Sequence, residues 1–116
     1  MPEVKHTKPE RARILDQAKA HTCGDRDEEY GPPWVNLTDC AGLWSAYLSG
    51  KYGGKTPDSI NTHSAFTLTA EDVAWFNVLQ KMARTFSGQV KPDTYEDAAA
   101  YSAIEGECAK TESELE

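Results

Sequence analysis

Apolar residues recur at intervals of three and four along most of the chain, which is the spacing of one face of an α-helix. The clearest run follows the prolines at 32 and 33 and comprises Trp34, Leu37, Ala41, Trp44 and Leu48. Proline interrupts a helix before it and permits one after it. The run therefore predicts an amphipathic helix that begins after residue 33 and ends near residue 50.

Start signals mark three further helices. In each, a polar residue is followed three positions later by a carboxylate, as in Thr7–Glu10, Thr69–Asp72 and Asp93–Glu96. This spacing is typical of a capping box at a helix N-terminus. Gly24 and Gly88 are well placed to end the first and third helices.

These signals predict a single all-α domain over residues 1–116, a four-helix bundle-like fold. Residues 50–68 have no period and many turn residues, so they predict a long flexible loop between the second and third helices. The ends, 1–6 and 106–116, are expected to fray. The apolar arc of the third helix, roughly 160°, is wider than a surface helix needs. Together with three tryptophans, it predicts a homodimer or higher homo-oligomer.

Composition narrows the class of partner. The formal net charge is −7, which argues against non-specific nucleic-acid binding, since that requires a basic surface. The three cysteines include no CxxC pair, so neither a disulfide framework nor a zinc site is expected. The N-terminal residues carry no apolar signal-peptide core, and no stretch reaches the length of a membrane span. We expect a soluble, cytoplasmic protein with no membrane partner.

Asp97 begins a stripe that Tyr101, Ile104 and Cys108 continue, so its side chain is expected to point inward. The short connection from residue 88 to 92 predicts an antiparallel hairpin of helices three and four. A buried carboxylate requires a partner, and the hairpin brings Asp97 level with Lys81 and Arg84. The alternative is a first-turn carboxylate that favours the helix dipole, beside a solvated basic face.

Asp72 also falls in line with apolar positions, although its spacing from Thr69 favours a capping role. Along the hairpin, Asp72 and Asp97 are separated by a rise of about 18 Å, which is too far for one metal ion to be shared. If both carboxylates serve one site, a second subunit or the 24–34 loop must complete it.

The stretch "GDRDEEYGPPW", residues 24–34, packs charges of both signs against a stiff aromatic turn. Two prolines stiffen the turn, and Tyr30 and Trp34 can anchor its ends. Fixed charges are what a metal or phosphate site requires. The stretch therefore predicts the rim of an anionic-ligand site, with Arg26 facing phosphate and Glu28 or Glu29 facing a metal. The alternative is a solvated linker.

Four segments, "DRDEEYG", "NLTDCAGLWSAYL", "LTAEDVAWFNVLQKMAR" and "DTYEDAAAYSA", occur in this order between residues 25 and 103. Together they resemble a family of small phage and prophage domains, often labelled MazG-like after the all-α nucleoside triphosphate pyrophosphohydrolases. The resemblance spans roughly residues 12 to 104. The positions that match its pattern are Arg26, Tyr30, Gly31, Asn36, Leu43, Trp44, Asp72, Val73, Lys81, Arg84, Asp97 and Tyr101.

The resemblance implies an oligomeric all-α protein that binds a nucleotide and hydrolyses its α–β phosphate linkage with Mg²⁺. In the enzyme hypothesis that follows from it, Glu28 and Glu29 are catalytic and bind Mg²⁺ together with Asp72 or Asp97. The ligand-binding set that it implies is Arg26, Tyr30, Asn36, Lys81, Arg84 and Tyr101.

The chain departs from the MazG signature of Glu-x-x-Glu followed by Glu-x-x-Asp. Its nearest acidic pairs are Asp25-x-x-Glu28 and Asp93-x-x-Glu96. A non-catalytic module that sequesters a nucleotide or a host protein is therefore the alternative to an enzyme.

Overall fold

The computed structural model describes residues 8–23, 31–53 and 66–115. Within these ranges the regular structure is helical, which confirms the all-α fold. The helices are α1 (Glu10–Thr22), α2 (Pro33–Tyr52), α3 (Ala70–Arg84) and α4 (Pro92–Leu115), and a 3₁₀ turn (Thr85–Ser87) follows α3. Among the described residues, no helix combines the length and the apolar character that a membrane span requires.

The longest helix, α4, is the centre of the fold because it contacts α1, α2 and α3. Its Ile104 and Cys108 form the core with Ala70 and Ala74 of α3. Three partly buried side chains, Trp34, Leu37 and Tyr101, pack against this core. The start of α3 thus meets the second half of α4, which confirms the antiparallel hairpin.

Within the described residues, the predicted capping box at Thr69 and Asp72 forms. At the start of α3, the backbone N–H of Thr69 donates to the Asp72 carboxylate over 2.9 Å, and the box is complete. Helix α1 instead has Pro9 as its N-cap, so Glu10 is its first helical residue and not its third; Thr7 lies outside the described residues. Helix α4 begins at Pro92, and the Glu96 carboxylate is engaged by another helix.

The helix ends also differ from expectation. Gly88 stops the 3₁₀ turn with a φ of 83°, as predicted, because glycine adopts this left-handed conformation without strain. Helix α4 continues to Leu115, through most of the 106–116 segment for which the sequence predicts fraying. Cys108 is fully buried and Glu112 is half-buried, so tertiary packing extends the helix beyond its sequence signals. The prediction that residues 1–6 fray lies outside the described residues, as does Gly24.

The last part of the predicted 50–68 loop lies along α2. Ser45 Oγ accepts a hydrogen bond from the backbone N–H of Leu68 over 2.8 Å, and Ser49 Oγ accepts one from Phe66 over 3.1 Å. Ser45 is buried, whereas Trp44, expected on the inner face, is 37% exposed. The buried side of α2 is therefore centred nearer Ser45 than Trp44, and Ser45 binds the backbone of the segment that leads into α3.

An acidic cluster lies beside the core, where Glu71 of α3 approaches Glu105 and Glu112 of α4. Burial raises the pKa of Glu105, and the neighbouring Glu71 carboxylate adds to the rise. The pKa of Glu112 is raised for the same two reasons, and burial raises the pKa of the Cys108 thiol to about 11. The indole N–H of Trp34 has no hydrogen-bond partner within the described residues, yet it lies close enough to Glu112 to oppose part of that rise.

Replacing Glu105 by Gln is expected to raise the melting temperature at neutral pH. Because the folded-state pKa of Glu105 lies above the ordinary value of a glutamate, the folded chain holds this proton more tightly than the unfolded chain. The resulting contribution to stability is complete below about pH 4.5 and is lost as the pH rises through the folded-state pKa. Thermal melts of the wild type and the variant between pH 4 and 8 should therefore diverge as the pH increases.

The matched control is Glu114→Gln, which removes the same charge from an exposed position of the same helix. Its melting curve should stay parallel to that of the wild type over this pH range. If Glu105→Gln also stays parallel, the Glu105 carboxylate is solvated and the acidic cluster does not form.

Candidate functional site

Two consecutive carboxylates near the start of α4 bind two different helices. The Asp97 carboxylate forms a salt bridge with the Lys81 ammonium of α3 over 3.0 Å. This confirms the pairing predicted from the hairpin register. The expected burial of Asp97 is wrong, however, because 35% of its side chain is exposed while that of Lys81 is only 14% exposed. Asp97 lies at the edge of the α3–α4 contact, where it faces a cleft.

Glu96 points to α1. Its side chain is only 10% exposed and accepts a hydrogen bond from Arg13 over 2.7 Å, with the ring of His21 4.0 Å away. Arg13 also donates to Glu10, and the two carboxylates, Glu10 first, raise the pKa of Arg13 above its usual value. Arg13 of α1 therefore remains charged and links α1 to α4 through Glu96.

A small cleft opens beside these ion pairs, between the last turn of α1 and α4. It has a volume of about 160 Å³ and is lined by His21, Thr22, Asp97, Ala100, Tyr101 and Ile104. The half-buried Tyr101 also packs against the core, so its ring is held in place. The cleft therefore combines a carboxylate, an imidazole and a fixed phenol.

A larger cleft lies at the turn between α3 and α4. Its volume is about 400 Å³, and its lining residues are Ala83, Arg84, Ser87, Gln89, Lys91, Asp93 and Thr94. Arg84 and Lys91 are exposed, and neither forms a salt bridge within the described part of the chain. Two cations and several neutral donors thus surround one carboxylate.

The two clefts follow one face of α4. Asp93 lines the larger cleft and Asp97 the smaller one, and residues four apart on a helix share a face. On α3, Arg84 and Lys81 are three apart and lie opposite them. At this end of the hairpin, two carboxylates of α4 therefore lie opposite two cations of α3.

The other predicted site residues either line neither cleft or lie outside the described residues. Asp72 is engaged in the capping box, which confirms its structural interpretation. Asn36 is exposed on α2 and lines neither cleft. Arg26, Glu28, Glu29 and Tyr30 lie outside the described residues. No group of three or more potential metal ligands is present in 8–23, 31–53 and 66–115, so magnesium ligation by Glu28, Glu29, Asp72 and Asp97 stays a prediction.

Sequence reasoning missed most of the polar lining residues, namely His21, Thr22, Ser87, Gln89, Lys91, Asp93 and Thr94. The four-residue spacing of Asp93 and Asp97 was a readable signal, but Asp93 was interpreted as a cap. The contribution of His21 depends on how α1 packs against α4, which no local pattern encodes.

Replacing Asp97 by Asn should destabilise the fold by about 1 kcal/mol, because it leaves the largely buried Lys81 ammonium without its counter-charge. The loss should be smaller than for a fully buried pair, since Asp97 is partly exposed. In a double-mutant cycle with Lys81→Met, the two changes should be non-additive when unfolding is followed in urea. Asp39→Asn, an exposed change on α2, is the control; strict additivity of Asp97 and Lys81 would contradict the pair.

Comparison with known proteins places the chain at family level. Among curated proteins and solved structures, none matches it. Residues 13–109 match a domain family of unknown function, DUF6378. This range includes every residue that lines the two clefts, and it covers most of the sequence. The chain therefore belongs to the DUF6378 family.

Proposed function

We propose that the chain is a nucleotide-binding protein that holds the ligand's phosphates in the cleft at the α3–α4 turn. The observation that carries this proposal is the chemistry of that cleft. In a chain of net charge −7, the cleft collects Arg84 and Lys91 together with Ser87, Gln89 and Thr94. Arginine and lysine bind phosphate oxygens through charge-assisted hydrogen bonds, and about 400 Å³ accommodates a small ligand.

The smaller cleft extends the proposed site. Tyr101 and His21 line it and offer ring surfaces to a nucleoside. Lys81 differs from its predicted role because its ammonium is held by Asp97. In this proposal Lys81 orients the Asp97 carboxylate, while Arg84 and Lys91 contact the phosphates.

The proposed reaction is Mg²⁺-dependent hydrolysis of the α–β phosphate linkage of a nucleoside triphosphate, as the MazG-like resemblance implies. The described carboxylates do not form a metal site by themselves. Glu28 and Glu29 would hold the ion together with Asp97, and Arg26 would add a phosphate contact. The metal supplies charge neutralisation and an activated water when it is bound.

A non-catalytic nucleotide-binding module is the second candidate. Two observations favour it, namely the departure from the MazG carboxylate signature and the engagement of Asp72 and Asp97 in structural contacts. Both candidates include a cytoplasmic protein that acts as a homo-oligomer. They differ in whether pyrophosphate is released from a bound nucleotide.

Changing Arg84 and Lys91 together to Gln should weaken binding of nucleoside triphosphates at least tenfold, because two cations that face the phosphates are lost. Calorimetric titration with ATP, GTP, CTP and UTP, each with Mg²⁺, measures this. Lys19→Gln with Lys110→Gln removes the same charge from exposed positions outside the cleft and should leave the affinity unchanged. An equal loss of affinity in both double variants would show that only the overall charge matters. Absence of nucleotide binding by the wild type would exclude the proposal.

Changing Glu28 and Glu29 together to Gln should abolish pyrophosphate release while a nucleotide still binds without Mg²⁺. The physical reason is that the Glu28 and Glu29 carboxylates are proposed to bind the metal ion, whereas the phosphates are bound by cationic side chains. A coupled pyrophosphate assay beside the same titrations separates the two candidates. Binding without release by the wild type would leave the non-catalytic module, and unchanged release by the double variant would exclude catalytic roles for both glutamates.

A further inference from the structure

The side chains of α3 are distributed by size in an unusual way. The residues that face α4 and the core are small, and Ala70, Val73 and Ala74 are each at most 1% exposed. The large apolar side chains lie on the outer side, where Phe76, Leu79 and Met82 are 40%, 52% and 50% exposed. A helix of an isolated domain normally buries its larger apolar residues. Helix α3 therefore has the composition of a helix with neighbours on both sides.

Helix α2 continues this surface. The rings of Trp44 and Phe76 stack with centroids 5.9 Å apart, which joins the two helices at their outer edge. Leu43 and Tyr47 of α2 are 73% and 61% exposed next to Trp44. We call this surface the outer face and define it by Leu43, Trp44, Tyr47, Phe76, Leu79 and Met82.

The area of the outer face suits a protein interface. With about half of each side chain exposed, at ~200 Å² for a large one, these six residues present roughly 600 Å² of apolar surface. A monomer seldom exposes a larger apolar patch than that. A standard interface buries about 800 Å² on each partner, a value that the flanking Trp75 and Phe86, both exposed, bring within reach.

The distribution of charge indicates that the partner of the outer face is a second copy of the chain. No charged residue occurs between Cys40 and Gly50 or between Val73 and Gln80, so the middle of the outer face is neutral. Two copies of a chain with a net charge of −7 repel each other over most of their surfaces. A neutral apolar face is where they can approach without placing like charges together. A basic partner would instead be attracted to the acidic remainder of the molecule.

We propose that the outer face is the interface through which two copies of this chain form a homodimer. A two-fold interface brings the same patch of each copy together, so α3 of one copy faces the α2–α3 surface of the other. The large side chains of α3 then become buried, and the helix lies inside a larger bundle. This assignment does not rest on the proposed nucleotide function.

The test compares two matched variants of the full chain by light scattering coupled to size exclusion at micromolar concentration. The wild type should have twice the chain mass. Leu79→Glu, which places a charge at the centre of the outer face, should reduce the mass to that of one chain. Leu15→Glu makes the same change at an exposed leucine of α1 and should remain dimeric.

A second measurement does not depend on the variants. The melting temperature of a dimer rises with protein concentration, whereas that of a monomer does not. Circular dichroism shows whether Leu79→Glu keeps its helices. A monomeric wild type with a concentration-independent melting temperature would overturn the proposal and leave the outer face to a different protein. A dimer that persists in a helical Leu79→Glu variant would overturn it as well, by placing the interface elsewhere.

Discussion

The arrangement of the helices depends on two consecutive carboxylates of α4. Neighbouring residues on a helix point about 100° apart, so Glu96 reaches Arg13 of α1 while Asp97 reaches Lys81 of α3. One short segment thereby ties the central helix to two neighbours. The Glu96 pair is the more buried of the two on the carboxylate side, so removing its partner would leave an uncompensated charge beside the core.

These polar contacts matter because the core itself is small. Within the described residues, its contiguous cluster comprises Ala70, Ala74, Ile104 and Cys108, and the larger residues packed around this cluster are only partly buried. Small side chains allow the helices to approach closely, but they interlock less than large ones and specify the register of two helices weakly. Ion pairs with defined partners supply the register that such a core lacks, and the capping box at Thr69 and Asp72 sets where α3 begins.

Two further features are unfavourable in an isolated domain with so small a core. Carboxylates crowd beside Cys108, where burial and mutual repulsion raise the pKa of Glu105 and Glu112. Large apolar side chains face outward on α2 and α3. Burying the outer face against a second copy would add the apolar contacts that the single-chain core lacks, and it would do so on the neutral side of an acidic molecule. The two clefts share no lining residue with the outer face, so their charged groups stay available to a ligand.

In the part of the chain that the structure describes, local patterns in the sequence determined the four helices, their approximate bounds and the hairpin register. Apolar spacing and turn residues are local properties, so Gly88 and the Thr69–Asp72 box could be recognised without tertiary information. The Asp97–Lys81 pair followed from the register of one short connection. Within the candidate site, Arg84, Asp97 and Tyr101 were identified from the sequence and line the two clefts. Lys81 lines neither cleft and contacts Asp97.

Only the tertiary structure decided which side of each helix faces inward. Both sides of α3 are apolar, so periodicity alone did not show that the alanines would pack against α4 while Phe76 and Leu79 remained outside. It also decided that Glu96, which has the spacing of a capping residue, would bind Arg13 at a separation of 83 positions. The extension of α4 to Leu115 and the contribution of His21 to a cleft arise from the same cause. Contacts between residues that are distant in the sequence outweigh local preferences of about 1 kcal/mol or less, and no local pattern records them.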